Sequence, residues 1–152
     1  MPLKLYYNMF SKACEYGIRA TIHISRQSQL GNRVSLKAVA REIDSPVAFT
    51  AKILQSLANN KIVVSKKGSS GGYEIADNAQ NRITLYQIVD AIDGDSIYNG
   101  CGLGLKQCNE QKPCPIHFKF KAIRDDLKTM LQTTSIHELT DGLNEGLTFL
   151  KR

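Results

Sequence analysis

Three cysteines and a histidine lie within seventeen residues, Cys101 to His117, in the stretch CGLGLKQCNEQKPCPIH, with the spacing C-x6-C-x5-C-x2-H. Thiolates and imidazole are soft or borderline ligands. Four of them on a glycine-bearing stretch without a hydrophobic period suit a chain that wraps around a metal ion or an iron-sulfur cluster. Two other chemistries compete for the same residues: a metal-free, redox-active thiol loop, and disulfides made with the fourth cysteine, Cys14. Disulfides need an oxidising compartment, and the opening MPLKLYYNMF lacks the apolar core of a signal peptide. No run approaches the roughly 18 apolar residues of a membrane span, so a cytoplasmic protein with reduced thiols is expected. The spacing is also close to that of three-cysteine, one-histidine zinc modules that bind RNA. Those modules stack bases on aromatic residues, and none lies between Cys101 and Cys114. No C-x-x-C pair is present, and no paired carboxylates or Ser/His/Asp set stands out, so an enzyme is not expected.

The elements around this loop must position it and supply its partner. A chain of 152 residues is one domain, or one with an attached arm, and is long enough for a proper core. Its net charge of +6 is uneven. Residues 1–80 carry seven lysines and four arginines against five acids, whereas residues 81–152 carry nine basic and nine acidic residues. A basic half joined to a neutral half suggests a polyanion-binding module, 9–80, joined to a sensing and assembly module, 81–152.

The first eight residues read as an extension, with Met9 an alternative start. Helical spacing of Ala13, Gly17, Ala20 and Ile24 predicts a helix over 11–27 with Ser11 as its N-cap. Cys14 and His23 read as structural residues within it. Ser35 caps a second short helix carrying Leu36, Val39, Ala40 and Ile43. Asp44-Ser45-Pro46 then combines a tight turn with a new start, Ser45 capping and Pro46 in the first helical position of a helix to about Asn59. Phe49, Ile53, Leu54 and Leu57 face inward, while Ala48, Lys52, Gln55 and Asn59 form a polar stripe. Two short helices joined by such a turn make a helix-turn-helix.

A β-branched Ile62-Val63-Val64, the basic glycine-rich KKGSSGG and the alternating Tyr73-Glu74-Ile75 follow, predicting a β-hairpin with a basic tip. The order defines a winged helix-turn-helix. Gln55 suits adenine N6/N7, Lys52 suits guanine O6/N7 or a phosphate, and Ala48 allows close approach to double-stranded DNA. Lys66 and Lys67 on the wing suit phosphates, with Gly68, Ser69 and Ser70 permitting the approach, and Ser45 at the turn completes the expected contact set.

After a polar connector, Thr84 to Gln87 reads as a capping box for a helix with Leu85, Ile88, Val89 and Ile92, ended by Gly94. Beyond the cysteine loop, Pro115 reads as the first position of a long helix to about Gln132. Its residues Ile116, Phe120, Ile123, Leu127 and Met130 form a seam with 4-3-4-3 spacing. No second long helix is expected to cover that seam, so its own copy is the economical partner. A two-fold homodimer would present two recognition helices to a palindromic site. A final capping box at Ser135 to Glu138 opens a short helix carrying Leu139, Leu143 and Leu147. The expected fold is mainly α with a small β-hairpin wing: a winged helix-turn-helix DNA-binding domain plus a long dimerisation helix.

With these residues in place, the chain resembles the Rrf-two family of bacterial winged-helix regulators over about Met9 to Leu139. The resemblance rests on FSKACEYGIRA, the wing KKGSSGGYEIA, the helix ITLYQIVDAID and the three-cysteine loop leading into a long helix. It implies a homodimeric transcriptional regulator, a repressor or an activator. It also implies a [2Fe-2S] or [4Fe-4S] cluster in many members and none in others, and a cluster open to loss in air. Cys101, Cys108 and Cys114 match the cluster cysteines, with x6 in the first interval where x5 is usual. Two residues match positions that supply a fourth ligand: His117, and Glu15 acting across the dimer. The resemblance implies sensing of iron-sulfur supply, oxidants or nitric oxide. For a member without a cluster, it implies signalling through thiol chemistry or a protein partner.

Overall fold

The structure is a computed structural model describing residues 9–151; the first eight residues, read above as an extension, lie outside the described residues. Helix α1 (Lys12–Gln29) is capped by Ser11, whose hydroxyl accepts from the Cys14 amide at 3.0 Å. Gly17, Ala20 and Ile24 form its buried face. A side chain at Gly17 would meet the end of the Ile92 side chain, which would have to turn away, so glycine lets α1 lie close to the helix that bears it. Helix α2 (Leu36–Glu42) starts at Ser35, which accepts from the Ala38 amide at 3.2 Å.

Helix α3 (Val47–Asn59) begins one residue later than the sequence suggests. Pro46 occupies its cap with ψ 137°, and Ser45 makes no cap hydrogen bond. The reason lies upstream. Asp44 adopts φ 52°, and the Ser45 amide donates to the Ala40 carbonyl at 3.0 Å. Ser45 therefore closes α2 instead of opening α3.

Strands β1 (Val64–Lys66) and β2 (Gly72–Glu74) form an antiparallel hairpin with Val64 opposite Glu74 and Lys66 opposite Gly72. Ile62 and Val63, expected in the strand, are instead buried in the core just before it. The hairpin is tied to the α1–α2 loop by two backbone bonds between Val34 and Tyr73, 3.0 and 2.8 Å.

The expected polar connector contains α4 (Asp77–Gln80), whose Gln80 is buried and accepts from the Gln29 amide group at 3.0 Å. Helix α5 (Leu85–Asp93) follows Thr84, whose amide donates to Gln87 at 2.9 Å, and ends at Gly94 with φ 74°. A further short helix, α6 (Ser96–Asn99), places Tyr98 in the core, stacked on Tyr86 at 5.1 Å. Helix α7 (His117–Thr133) starts two residues after Pro115, because the His117 amide donates back to the Cys114 carbonyl at 3.0 Å and makes a turn of Pro115-Ile116. Helix α8 (Ile136–Asn144) is capped by Ser135. Leu147, expected on that helix, lies beyond it and is exposed. Gly146 at φ 71° reverses the chain, and the Leu147 amide returns to the Gly142 carbonyl.

Helix α1 packs against α2, α3, α5 and α8, so a single apolar cluster draws Ile24, Leu54 and Leu57 together with Ile88, Leu131 and Ile136. The winged head and the cysteine-bearing half share one core.

Candidate nucleic-acid interface and thiol loop

Recognition of a duplex requires a helix that buries one face and frees the other. In α3, Ile53, Leu54 and Leu57 are buried, while Ala48, Lys52, Gln55 and Asn59 are exposed. Phe49 is held by an edge contact with Tyr16 at 5.8 Å, and the Tyr16 hydroxyl donates to the Asp44 carbonyl at 3.4 Å. The helix and its turn are thereby fixed on α1. Ser45 stands at the turn, but its hydroxyl is enclosed and without a partner, so it faces the protein instead of the solvent.

On the wing, Lys66, Lys67, Gly68, Ser69 and Ser70 are all exposed. The glycines do specific work there: Gly68 has φ 102°, and Gly72, at φ 137°, passes so close to the α1–α2 loop that a Cβ would sit 2.8 Å from the Val34 carbonyl. Arg33 escaped the sequence reading. Its Nε pairs with Glu74 at 2.8 Å and its Nη1 donates to the Ser70 carbonyl at 3.2 Å, so one guanidinium joins the loop to the tip and the second strand of the wing.

In the thiol loop, Cys101, Cys108 and Cys114 are half-buried and His117 is 4% exposed. The Cys108 sulfur lies 3.3 Å from His117 Nδ1. It also accepts from Arg124 Nη2 at 3.1 Å, and Arg124 Nη1 donates to the Gly100 carbonyl. The backbone amides of Leu103 and Leu105 hold the Cys101 thiol below its ordinary range, with smaller help from Cys114 and Arg124. Within the chain, Glu15 stands away from this loop on α1, where it pairs with Lys12 at 3.7 Å; its expected role was across the dimer.

The donor set fits a metal in kind. It offers three thiols and a buried imidazole whose Nε2 has no partner, an unusual state for an enclosed ring nitrogen. Among the described residues, however, no three of these side chains converge on one point. Cys108 and His117 stand together, without either of the other two thiols.

The predicted seam of α7 is only partly turned outward. Ile116, Ile123 and Met130 are exposed, Phe120 and Leu127 are half-buried, and the face one residue further on, His117, Arg124 and Leu131, is buried against the chain's own core. Contrary to expectation, the chain holds a second long helix, since α1 has 18 residues and α7 has 17. It is the placement of α1, enclosed by α5 and α8, that keeps it from covering the stripe.

An exposed recognition helix followed by a basic hairpin, on a mostly helical core, defines a winged helix-turn-helix protein. The chain belongs to the Rrf2 family, described as iron-dependent transcriptional regulators, whose model matches residues 10–142. It is a DNA-binding transcriptional regulator and not an enzyme. Among its relatives, an HTH-type transcriptional regulator of Aquifex aeolicus is 25% identical over 133 residues, covering 86% of this chain and 90% of that protein. The HTH-type transcriptional regulator IscR of Pectobacterium atrosepticum is 24% identical over 126 residues, covering 83% and 75%. The fold is similar to that of CymR, the global cysteine regulator of B. subtilis, with a TM-score of 0.70, 21% identity and coverage of 87% of this chain and 95% of that one. No described helix is long and apolar enough to cross a membrane.

Proposed function

We propose that this regulator works as a homodimer on a palindromic operator, and that an iron-sulfur cluster held by Cys101, Cys108, Cys114 and His117 controls its competence to bind. The observation that carries the sensing half is the contact of Cys108 with His117 at the start of α7, on a loop holding two further thiols. It favours His117 as a fourth ligand supplied within the chain, whereas Glu15 would have to act across the dimer from the first turn of the partner's α1. A cluster, when bound, supplies a centre that reacts with oxidants and nitric oxide and reports iron-sulfur supply. The chain's own part is positional. The loop leads directly into α7, α7 packs on α5, and α5 packs on α1 and α3. A change at Cys108 or His117 therefore has a packed route to the recognition helix. In the DNA-bound form, Gln55 and Lys52 read base edges, Ala48 allows close approach, and Lys66 and Lys67 neutralise phosphates.

A cluster-free regulator using thiol chemistry or a protein partner is the second reading, favoured by the lack of any three gathered donors among the described residues. Anaerobic purification with absorption spectroscopy and iron, sulfide and zinc analysis separates the two. Iron, sulfide and a visible chromophore lost in Cys108→Ala and His117→Ala but kept in Glu15→Gln are expected. Zinc alone, or no metal, would remove the cluster from the mechanism and leave the thiol reading.

A further inference from the structure

Arg124 is a charge that the fold buries without a carboxylate. The residue is 5% exposed and lies in the middle of α7, on the same inward line as His117 and Leu131. Its neighbours Asp125 and Asp126 are exposed, and Asp125 is engaged by Lys121 at 2.7 Å. None of the ion pairs among the described residues includes Arg124. Instead, its three nitrogens meet a carbonyl, a sulfur and nothing: Nη1 donates to Gly100, Nη2 to Cys108, and Nε is enclosed without a partner. A guanidinium stays charged at any working pH, and enclosing one without an anion is strongly unfavourable. The Phe120 ring lies 5.5 Å from the guanidinium, and Asp125 feels its charge but is exposed and taken by Lys121; the remaining neighbours able to become anionic are the thiols of the loop.

Charge counting then gives Arg124 a purpose. When three thiols bind a divalent metal they release three protons to solvent, and three thiolates with a neutral imidazole leave one net negative charge on the assembly. A [2Fe-2S] core of charge +2 in the same ligand set leaves the same excess. One buried cation matches it. We infer that Arg124 is the counter-cation of the thiol site: it neutralises the excess charge of a three-thiolate metal assembly and holds Cys108 beside His117. This positioning role rests on the proposed metal-binding reading of the loop, though not on which metal is bound.

The test uses the full-length protein, anaerobic, reduced and metal-free, titrated with cobalt(II) against a chromophoric chelator and followed through the thiolate-to-cobalt absorption. Arg124→Gln, which removes the charge, should weaken cobalt binding by about tenfold to a hundredfold, the usual effect of losing an outer-sphere partner. Arg124→Lys, which keeps the charge but not the fork, should recover a large part of that loss. After reconstitution with iron and sulfide, the Gln variant should have the more negative reduction potential, since a cation beside the centre favours its reduced state. Melting curves of both variants provide the structural control. A purely structural Arg124 would make Gln and Lys lose cobalt alike, in step with their loss of stability, and that result overturns the inference. So does wild-type cobalt affinity in a folded Gln variant. Cobalt binding that depends on Arg124 in a protein unable to assemble iron and sulfide would sink the cluster and leave the counter-cation standing. Cluster assembly indifferent to Arg124 would do the reverse. A wild-type chain that binds neither metal overturns both.

Discussion

Cys14 and Cys101 carry the same thiol in opposite settings. Cys14 is fully buried in the first turn of α1, beside Asp93, which also receives the Ser11 amide at 2.9 Å. Burial first, and the negative charges of Asp93 and Glu15 after it, push its thiol from 9.0 up to about 12. Cys101 sits among backbone amides that favour its thiolate. A neutral alkylating reagent applied to the reduced, metal-free protein should therefore modify Cys101, Cys108 and Cys114 and spare Cys14. Mass spectrometry should find the fourth adduct only after unfolding, and rapid native labelling of Cys14 would contradict its placement. The linkage has a definite sign. A thiol whose folded value is raised contributes stability that is whole below its unfolded value and is lost as pH climbs toward the folded one. Unfolding by urea should thus show stability falling between pH 9.0 and about 12, and Cys14→Ala should flatten that alkaline decline. An unchanged decline in the variant would assign it to other groups.

At the scale of elements, the wing is the test case, because its hold on the head runs through few groups: Arg33, the Val34–Tyr73 backbone pair and the Ile75 amide, which donates to Ser28 Oγ at 2.9 Å. Arg33 links Glu74 to the Ser70 carbonyl, and Val34 pairs with Tyr73. An exposed ion pair contributes little to global stability, of order 0 to 1 kcal/mol, but here it sets where Lys66 and Lys67 stand. Arg33→Ala and Glu74→Gln should each weaken binding to a selected operator by roughly threefold to tenfold with little change in melting. The salt slope should be preserved, whereas Lys67→Ala should reduce it by about one unit. Fluorescence anisotropy across a salt series reads all three. Tighter binding by Glu74→Gln would mean that Arg33 touches phosphate directly and is merely distracted by Glu74. These contacts also mark the border of what a sequence reveals. Ser11, Ser35, Thr84 and Ser135 announced their helices because a cap bonds within three residues. Pro46 and Pro115 misled because the same residue serves a turn as well as a helix start. The four-residue α4 and α6 are too short to show a period, and Ile62-Val63 looked like strand because a buried lead-in has the same β-branched composition. Arg33 and Arg124 stayed hidden because their partners lie 37 and 41, and 16 and 24, residues away.

For the whole molecule, the unresolved demand is the apolar stripe of α7. Ile123 is 64% exposed and Met130 43%. They recur with Ile116 at intervals of seven on a helix whose neighbouring face already serves the core. Such a line on a free surface costs roughly 25 cal/mol for each Å² of apolar area left in water, which a second copy of the same helix would remove. The stripe begins beside His117, so the helix that would join two protomers is also the helix that Cys108 and Arg124 touch. A dimer joined through this stripe would thus place its contact and the thiol loop on adjacent faces of one element. Ile123→Glu tests this at little risk to the fold, since the side chain is mostly in solvent. The variant should melt within about 1 kcal/mol of the parent at low concentration, yet sediment as a monomer where the parent sediments as a dimer. On a palindromic duplex it should bind with the affinity of a single half-site. On a duplex carrying one half-site the two proteins should be nearly equal, because α3 and the wing are untouched. A variant that still sediments as a dimer and holds the palindrome as tightly as the parent would show that another surface joins the protomers, and the stripe on α7 would then need a different partner.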